Sequence, residues 1–147
     1  MSLRGVEITA FAYATENEGR VERAIRNLIP EGTLNVRLRT QTLNGHFKDP
    51  ITLITASIKR REAKGMFRSV ISRLNTLDQQ RLLDEVGDRV DDSGNLYIRV
   101  NKQIAYHGSI ALEEVDPIRI KFRLRRPHGS NAVDYARSVL TEIIGGD

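Results

Sequence analysis

Residues 117–126 read Pro117-Ile-Arg-Ile-Lys-Phe-Arg-Leu-Arg-Arg126. Successive side chains of a strand point to opposite faces. Ile118, Ile120, Phe122 and Leu124 therefore form one apolar face, and Arg119, Lys121, Arg123 and Arg125 form the other, with no acid among them. Four like charges on one strand face repel and do not pack. Such a face suits a polyanion, unless acids on neighbouring strands neutralise it. The apolar stripe demands a covering layer, and the charged stripe demands an open one.

The segments around this strand supply that layer. Residues 5–13 alternate, with Val6, Ile8, Ala10 and Ala12 opposite Glu7, Thr9, Phe11 and Tyr13. A capping box at Thr15-Glu-Asn-Glu18 predicts a helix start. Val21, Ala24, Ile25, Leu28 and Ile29 follow on one helical face, before Pro30 and Gly32. Glu16 and Glu22 stand four residues before Arg20 and Arg26, the spacing of intrahelical pairs. Residues 33–43 alternate, Leu34, Val36 and Leu38 against Asn35, Arg37 and Arg39. Asn44-Gly45 signals a turn.

A loop, His46 to Pro50, leads to a strand at 51–58 with Ile54, Ala56 and Ile58 inward. A helix follows to Leu74, with Ala63, Met66, Phe67, Val70 and Ile71 at helical spacing. Thr76 to Gln79 is a second capping box, before a short helix lined by Leu83, Val86 and Val90. Asp91 to Gly94 predicts a turn, and strands are expected near 95–101, 108–113 and 117–126. Ser130 or Asn131 caps a last helix with Ala132, Ala136, Val139, Leu140 and Ile143 inward, and Gly145-Gly146 ends it. The order β-α-β-β-α-α-β-β-β-α predicts an α+β fold, a largely antiparallel sheet with helices on one face. At 147 residues, one domain over 1–147 is expected.

Composition agrees with a basic binding protein. Net charge is +4, and the isoelectric point is about 9.7. Eighteen of the 23 basic residues are arginine, whose planar fork matches phosphate and base edges; the bias also fits a high-temperature or GC-rich source. Cysteine is absent, which excludes disulfides and thiolate metal sites and leans towards a reducing compartment. No signal peptide and no membrane span are expected.

Charge is unevenly spread. Residues 59–73 hold six cations and one acid, whereas 75–95 hold six acids and two cations. The first run contains Lys59, Arg60, Arg61, Lys64 and Arg68, at a strand end and a helix start. Cations there oppose the helix dipole, while free N–H groups favour a phosphate. A solvated charge run is the plain alternative. The acidic run would suit a basic partner protein or a symmetry mate, so a homodimer stays open. Phe11, Tyr13, Tyr97 and Phe47 could interleave with the basic face and stack bases, or pack at element edges.

Catalytic patterns are poor. His46, His107 and His128 have no metal-ligand spacing. His46 and Lys48 beside a phosphate would be the best case for RNA cleavage. Asp91 to Asn95 resembles half a calcium loop but lacks its frame and distal glutamate. Neither a cofactor nor a metal is expected.

Two motifs carry a resemblance. Gly45-His46-Phe47-Lys48-Asp49-Pro50-Ile51 looks like a G-H-F-x-N/D-P-I loop, with Asp49 where asparagine is the commoner residue. Asp92-Ser-Gly-Asn-Leu-Tyr-Ile-Arg99-Val-Asn-Lys102-Gln-Ile-Ala-Tyr106-His-Gly108 looks like the second signature. Ala14-Thr15-Glu16 and Ile120-Lys121-Phe122 also fit. The chain resembles the archaeal RNA-binding proteins predicted to be exosome subunits. The resemblance implies the fold of the 5S-rRNA-binding ribosomal protein, a cytoplasmic setting, and a non-catalytic role in RNA processing or degradation. Its implied partners are RNA, single-stranded or structured, and exosome or ribosomal subunits. An adaptor docking on such subunits without direct RNA recognition is the competing reading. Candidate RNA contacts are Arg37 and Arg39, the 59–68 cations, Arg99 and Lys102, the stripe Arg119, Lys121, Arg123 and Arg125, and the loop residues His46, Phe47 and Lys48.

Overall fold

The computed structural model describes residues 1–34, 36–44 and 49–145. Asn35, the 45–48 segment with His46, Phe47 and Lys48, and Gly146 and Asp147 lie outside the described residues. The predicted turn beyond Asn44 and the first signature loop up to Lys48 fall on those residues.

Five strands form one antiparallel sheet: β1 (Leu3–Ala12), β2 (Arg37–Asn44), β3 (Pro50–Lys59), β4 (Asn95–Val100) and β5 (Ile118–Leu124). Their spatial order is β2-β3-β1-β5-β4. The helices are α1 (Glu18–Leu28), α2 (Arg60–Arg73), α3 (Thr76–Asp84), α4 (Val86–Arg89), α5 (Lys102–Tyr106) and α6 (Ala132–Ile144).

The alternation in β5 decides the layering as expected. Ile118, Ile120, Phe122 and Leu124 are buried. Phe122 meets Phe67 of α2 edge-on, with ring centroids 4.9 Å apart. Val6, Ile8, Ala10 and Ala12 of β1 and Ile54, Ala56 and Ile58 of β3 join the same cluster, together with Ile25 of α1 and Leu140 of α6.

Several boundaries differ from the sequence reading. Asn17, not Thr15, caps α1, its side chain accepting from the Arg20 N–H at 3.1 Å. Glu16, in the turn before the helix, accepts from the Tyr13 N–H and from Lys102. Asn75, not Thr76, caps α3 by accepting from the Asp78 N–H at 2.8 Å. In α3 the fully buried residue is Leu82, with Leu83 only half-buried. Asn131 caps α6. β2 begins at Arg37, and Leu34 is exposed.

The expected strand at 108–113 is absent. Within that stretch Leu112 makes a single bridge to Val100, and α5 lies just before it, capped by Asn101 through the Ile104 N–H at 2.9 Å. Asn27 of α1 donates to the Ala105 and Tyr106 carbonyls, both at 3.0 Å, which satisfies the end of α5. No helix among the described residues is long and apolar enough to cross a membrane.

Candidate nucleic-acid interface

Directly opposed residues in antiparallel strands share a sheet face, so the strand pairing shows what the face away from the helices contains. One row runs Arg37, Ser57, Glu7, Lys121, Tyr97 across β2, β3, β1, β5 and β4. The next runs Arg39, Thr55, Thr9, Arg119, Arg99. A third holds Lys59, Gly5, Arg123 and Asn95. All of these side chains are exposed or half-buried apart from Gly5, which has none. Two basic segments far apart in sequence, 37–39 and 119–123, thus come to one surface because β1 and β3 stand between them.

Glu7 is the one acid in those rows. Its carboxylate accepts from Arg123 at 2.6 Å. Among the described residues, neutralisation by neighbouring acids therefore occurs at one stripe position and not at the others. Arg119 and Lys121 have no acid at ion-pair distance among the described residues; they lie over the Tyr97 ring, 5.3 and 6.0 Å from its centroid, with Arg99 at 5.9 Å. Buried Nε of Arg119 has no hydrogen-bond partner among the described residues. Arg125, beyond the end of β5, is exposed.

Tyr97 is fixed from the other side. Its hydroxyl donates to Asp91 Oδ2 at 2.9 Å. Burial, then the bond to Asp91, raises the tyrosine pKa. Burial would also raise Asp91, but bonds from the Asn95 side chain and N–H, the Tyr97 hydroxyl and the Ser93 N–H outweigh it. They hold the Asp91 carboxyl at about 2. Asp91 is thus the keystone of the turn into β4, in which Gly94 takes φ +87°.

At the β2 edge, Arg37, Arg39, Thr55, Ser57 and Lys59 line an open cleft of about 470 Å³. Lys59 joins this cleft to the second basic cluster. Arg60, Arg61 and Lys64 are exposed at the start of α2, which has no side-chain cap. Glu62 accepts the Leu34 N–H, 3.0 Å from each oxygen. Arg68 reaches Glu142 at 3.7 Å.

Lys102 stands apart from the other candidates. Its nearly buried ammonium bonds Glu16 at 3.1 Å, Asp116 at 2.8 Å and the Phe11 carbonyl. It clasps the end of β1 to the segment before β5. Arg20 lies over the Tyr106 ring at 5.3 Å, and neither Glu16–Arg20 nor Glu22–Arg26 is among the ion pairs of the described residues. His107 packs edge-on against Tyr106. Among the described residues no group of three or more His, Cys, Asp or Glu could hold a metal.

Residues 5–124, from β1 to the end of β5, match a family model described as RNA binding. The chain belongs to the RNA binding family. It is similar to the RNA-binding protein PAB1135 of Pyrococcus abyssi, 30% identical over 129 residues and 84% of each chain. An uncharacterized protein of Methanocaldococcus jannaschii, MJ0213, is 27% identical over 97% of this chain and 99% of its own. The crystal structure of AF2318 from Archaeglobus fulgidus, a DUF54 protein, superposes with a TM-score of 0.80 at 26% identity. That match covers 93% of this chain and 99% of the other.

For an RNA binding family member, the sequence reading overlooked how Glu7 and Tyr97 shape the face. Outward alternation of Glu7 and Thr9 was visible in β1. The register placing Glu7 diagonally from Arg123, and Tyr97 opposite Lys121, exists only once the strands are paired.

Proposed function

We propose that the chain acts as one RNA-binding domain, residues 1–147, without catalysis, in cytoplasmic RNA processing or degradation beside an exosome-type machine. In this reading its fold is that of the 5S-rRNA-binding ribosomal protein. The observation that carries the RNA contact is the sheet face itself: arginines and lysines from four strands share it with one acid, and the helices pack on the opposite side. Arg37, Arg39 and Lys59 on one flank and Arg99, Arg119 and Lys121 on the other would hold phosphates. Arg60, Arg61, Lys64 and Arg125 would extend the surface. Arg68, Arg123 and Lys102 already have carboxylate partners. Supporting a binding role, the acids nearest the face are engaged in structure, Glu7 with Arg123 and Asp91 within its turn.

The test is a titration of RNA across salt concentrations. With ~4–6 phosphates contacted, log K should fall against log salt with a slope of about −3 to −4. A flat response, or no binding at low salt, would defeat the reading.

A protein adaptor is the second reading. Leu77 is 73% exposed on α3, which also carries exposed Asp84. That apolar-acidic surface would take a basic partner, and it leaves the sheet face open.

A further inference from the structure

We infer that the sheet face takes an A-form RNA duplex across its minor groove rather than a single strand; this rests on the RNA reading above. The first argument is the order of chemistry across the sheet. Cations occupy the two flanks, Arg37 and Arg39 on β2, and Arg99 and Arg119 on β4 and β5. Between the flanks the floor carries short hydroxyl side chains, Thr55 and Ser57 on β3 and Thr9 on β1, with Glu7 of β1 beside them held by Arg123. Neighbouring strands lie about 4.8 Å apart, so the flanks stand roughly 14–19 Å from each other. Two cationic flanks with a low hydroxyl floor fit two phosphate strands bordering a shallow groove. The minor groove of A-form RNA is wide and shallow and displays 2′-hydroxyls. Threonine and serine can both donate to and accept from a 2′-hydroxyl.

Aromatic placement is the second argument. A single-strand platform stacks unpaired bases on free rings in mid-sheet. In the described rows Tyr97 is the one aromatic, and it sits on the outermost strand β4. Its hydroxyl is held by Asp91, and its ring lies against three cations. The ring therefore serves as a support that keeps Arg119 and Arg99 free of acids. Phe11, 41% exposed, is on the same face of the central strand β1 but one row beyond the cationic rows, opposite Leu53.

Groove shape also discriminates against DNA. The minor groove of B-DNA is about 6 Å wide, too narrow for the floor to enter, and its major groove is about 8.5 Å deep, beyond the reach of a flat face.

The experiment compares four labelled probes by fluorescence anisotropy: a blunt RNA duplex of about 16 bp, each of its strands alone, and the DNA duplex of the same sequence. The duplex RNA should bind at least about tenfold more tightly than either strand or the DNA. R37A/R39A and R99A/R119A should each weaken duplex binding about tenfold, because both flanks are used. T9V/T55V removes two of the three floor hydroxyls without changing shape or charge, and should lower the RNA-to-DNA preference while leaving the salt slope intact. If either flank variant does not fold by circular dichroism, the threonine variant decides. Equal or tighter binding of a single strand overturns this inference while RNA binding stands. An unchanged RNA-to-DNA preference in T9V/T55V also overturns it. Failure of every RNA probe to bind overturns both this inference and the function it rests on.

Discussion

Replacing Glu7 with glutamine should strengthen RNA binding. The Glu7 carboxylate is the one acid in the paired rows of the face, and it occupies Arg123 at 2.6 Å. Glutamine keeps the shape, removes one negative charge from the floor and releases a guanidinium for a phosphate. One added phosphate contact steepens the salt dependence by about 0.7–0.9 in the log–log slope. Over a fourfold change in salt, from about 50 to about 200 mM, that is roughly a threefold larger loss of affinity than in the parent. The variant's advantage should thus be clearest at low salt and shrink as salt rises. The folding cost is small, because Arg123 and Glu7 are 48% and 32% exposed, and such surface pairs contribute about 0.2–1 kcal/mol. At this chain length that lowers Tm by about 2–4 °C at most. Anisotropy titrations at several salt concentrations, with a thermal melt, measure both quantities. Unchanged or weaker binding at low salt with an intact fold would refute the placement of RNA on this face.

Substituting Lys102 by methionine leaves Glu16 and Asp116 facing each other without their shared cation, so stability should fall by about 1–3 kcal/mol in urea; a matching loss of RNA affinity in the folded variant would show that Lys102 also contacts RNA. Arg60→Glu with Arg61→Glu should weaken RNA binding while slightly stabilising the fold, since acids at the start of α2 agree with the helix dipole, by about 0.3–1 kcal/mol each. Arg20→Glu, remote from the sheet face, is the control; equal weakening by both would mean that binding is diffuse. The Asp91 carboxyl, held at about 2 against 3.8 for a free aspartate, contributes stability that is full above pH 4 and is lost as pH falls towards 2. Denaturation curves through that window should show Asp91→Asn losing about 1–2 kcal/mol at neutral pH and less additional stability than the parent on acidification.

Much of the layering was legible in the chain because it depends on period alone. Ile118, Ile120, Phe122 and Leu124 alternate with cations, and that pattern admits one packing: apolar side under helices, charged side open. Helical periods in 21–29 and 63–74 were equally plain. Helix starts were less so, because Thr15 and Asn17, like Asn75 and Thr76, offer competing capping groups a residue or two apart. Which one caps is settled by where the first helical turn begins, at Asn17 and Asn75 here. The five-residue α5 was hidden because so short a helix has little period of its own; Asn27, 78 residues before Ala105 in the chain, helps to hold its end.

The candidate site divides in the same way. Sequence alone determined that strand faces at 37–39 and 119–123 carry cations without adjacent acids, since alternation is a local property of the backbone. Only the tertiary structure decided that they share one surface, that Glu7 quenches Arg123, and that Tyr97 shelters Arg119 while Lys102 is drawn inward. Those outcomes follow from strand order and register. Both are set by which apolar rows interlock under the helices, and no local stretch of the chain contains them.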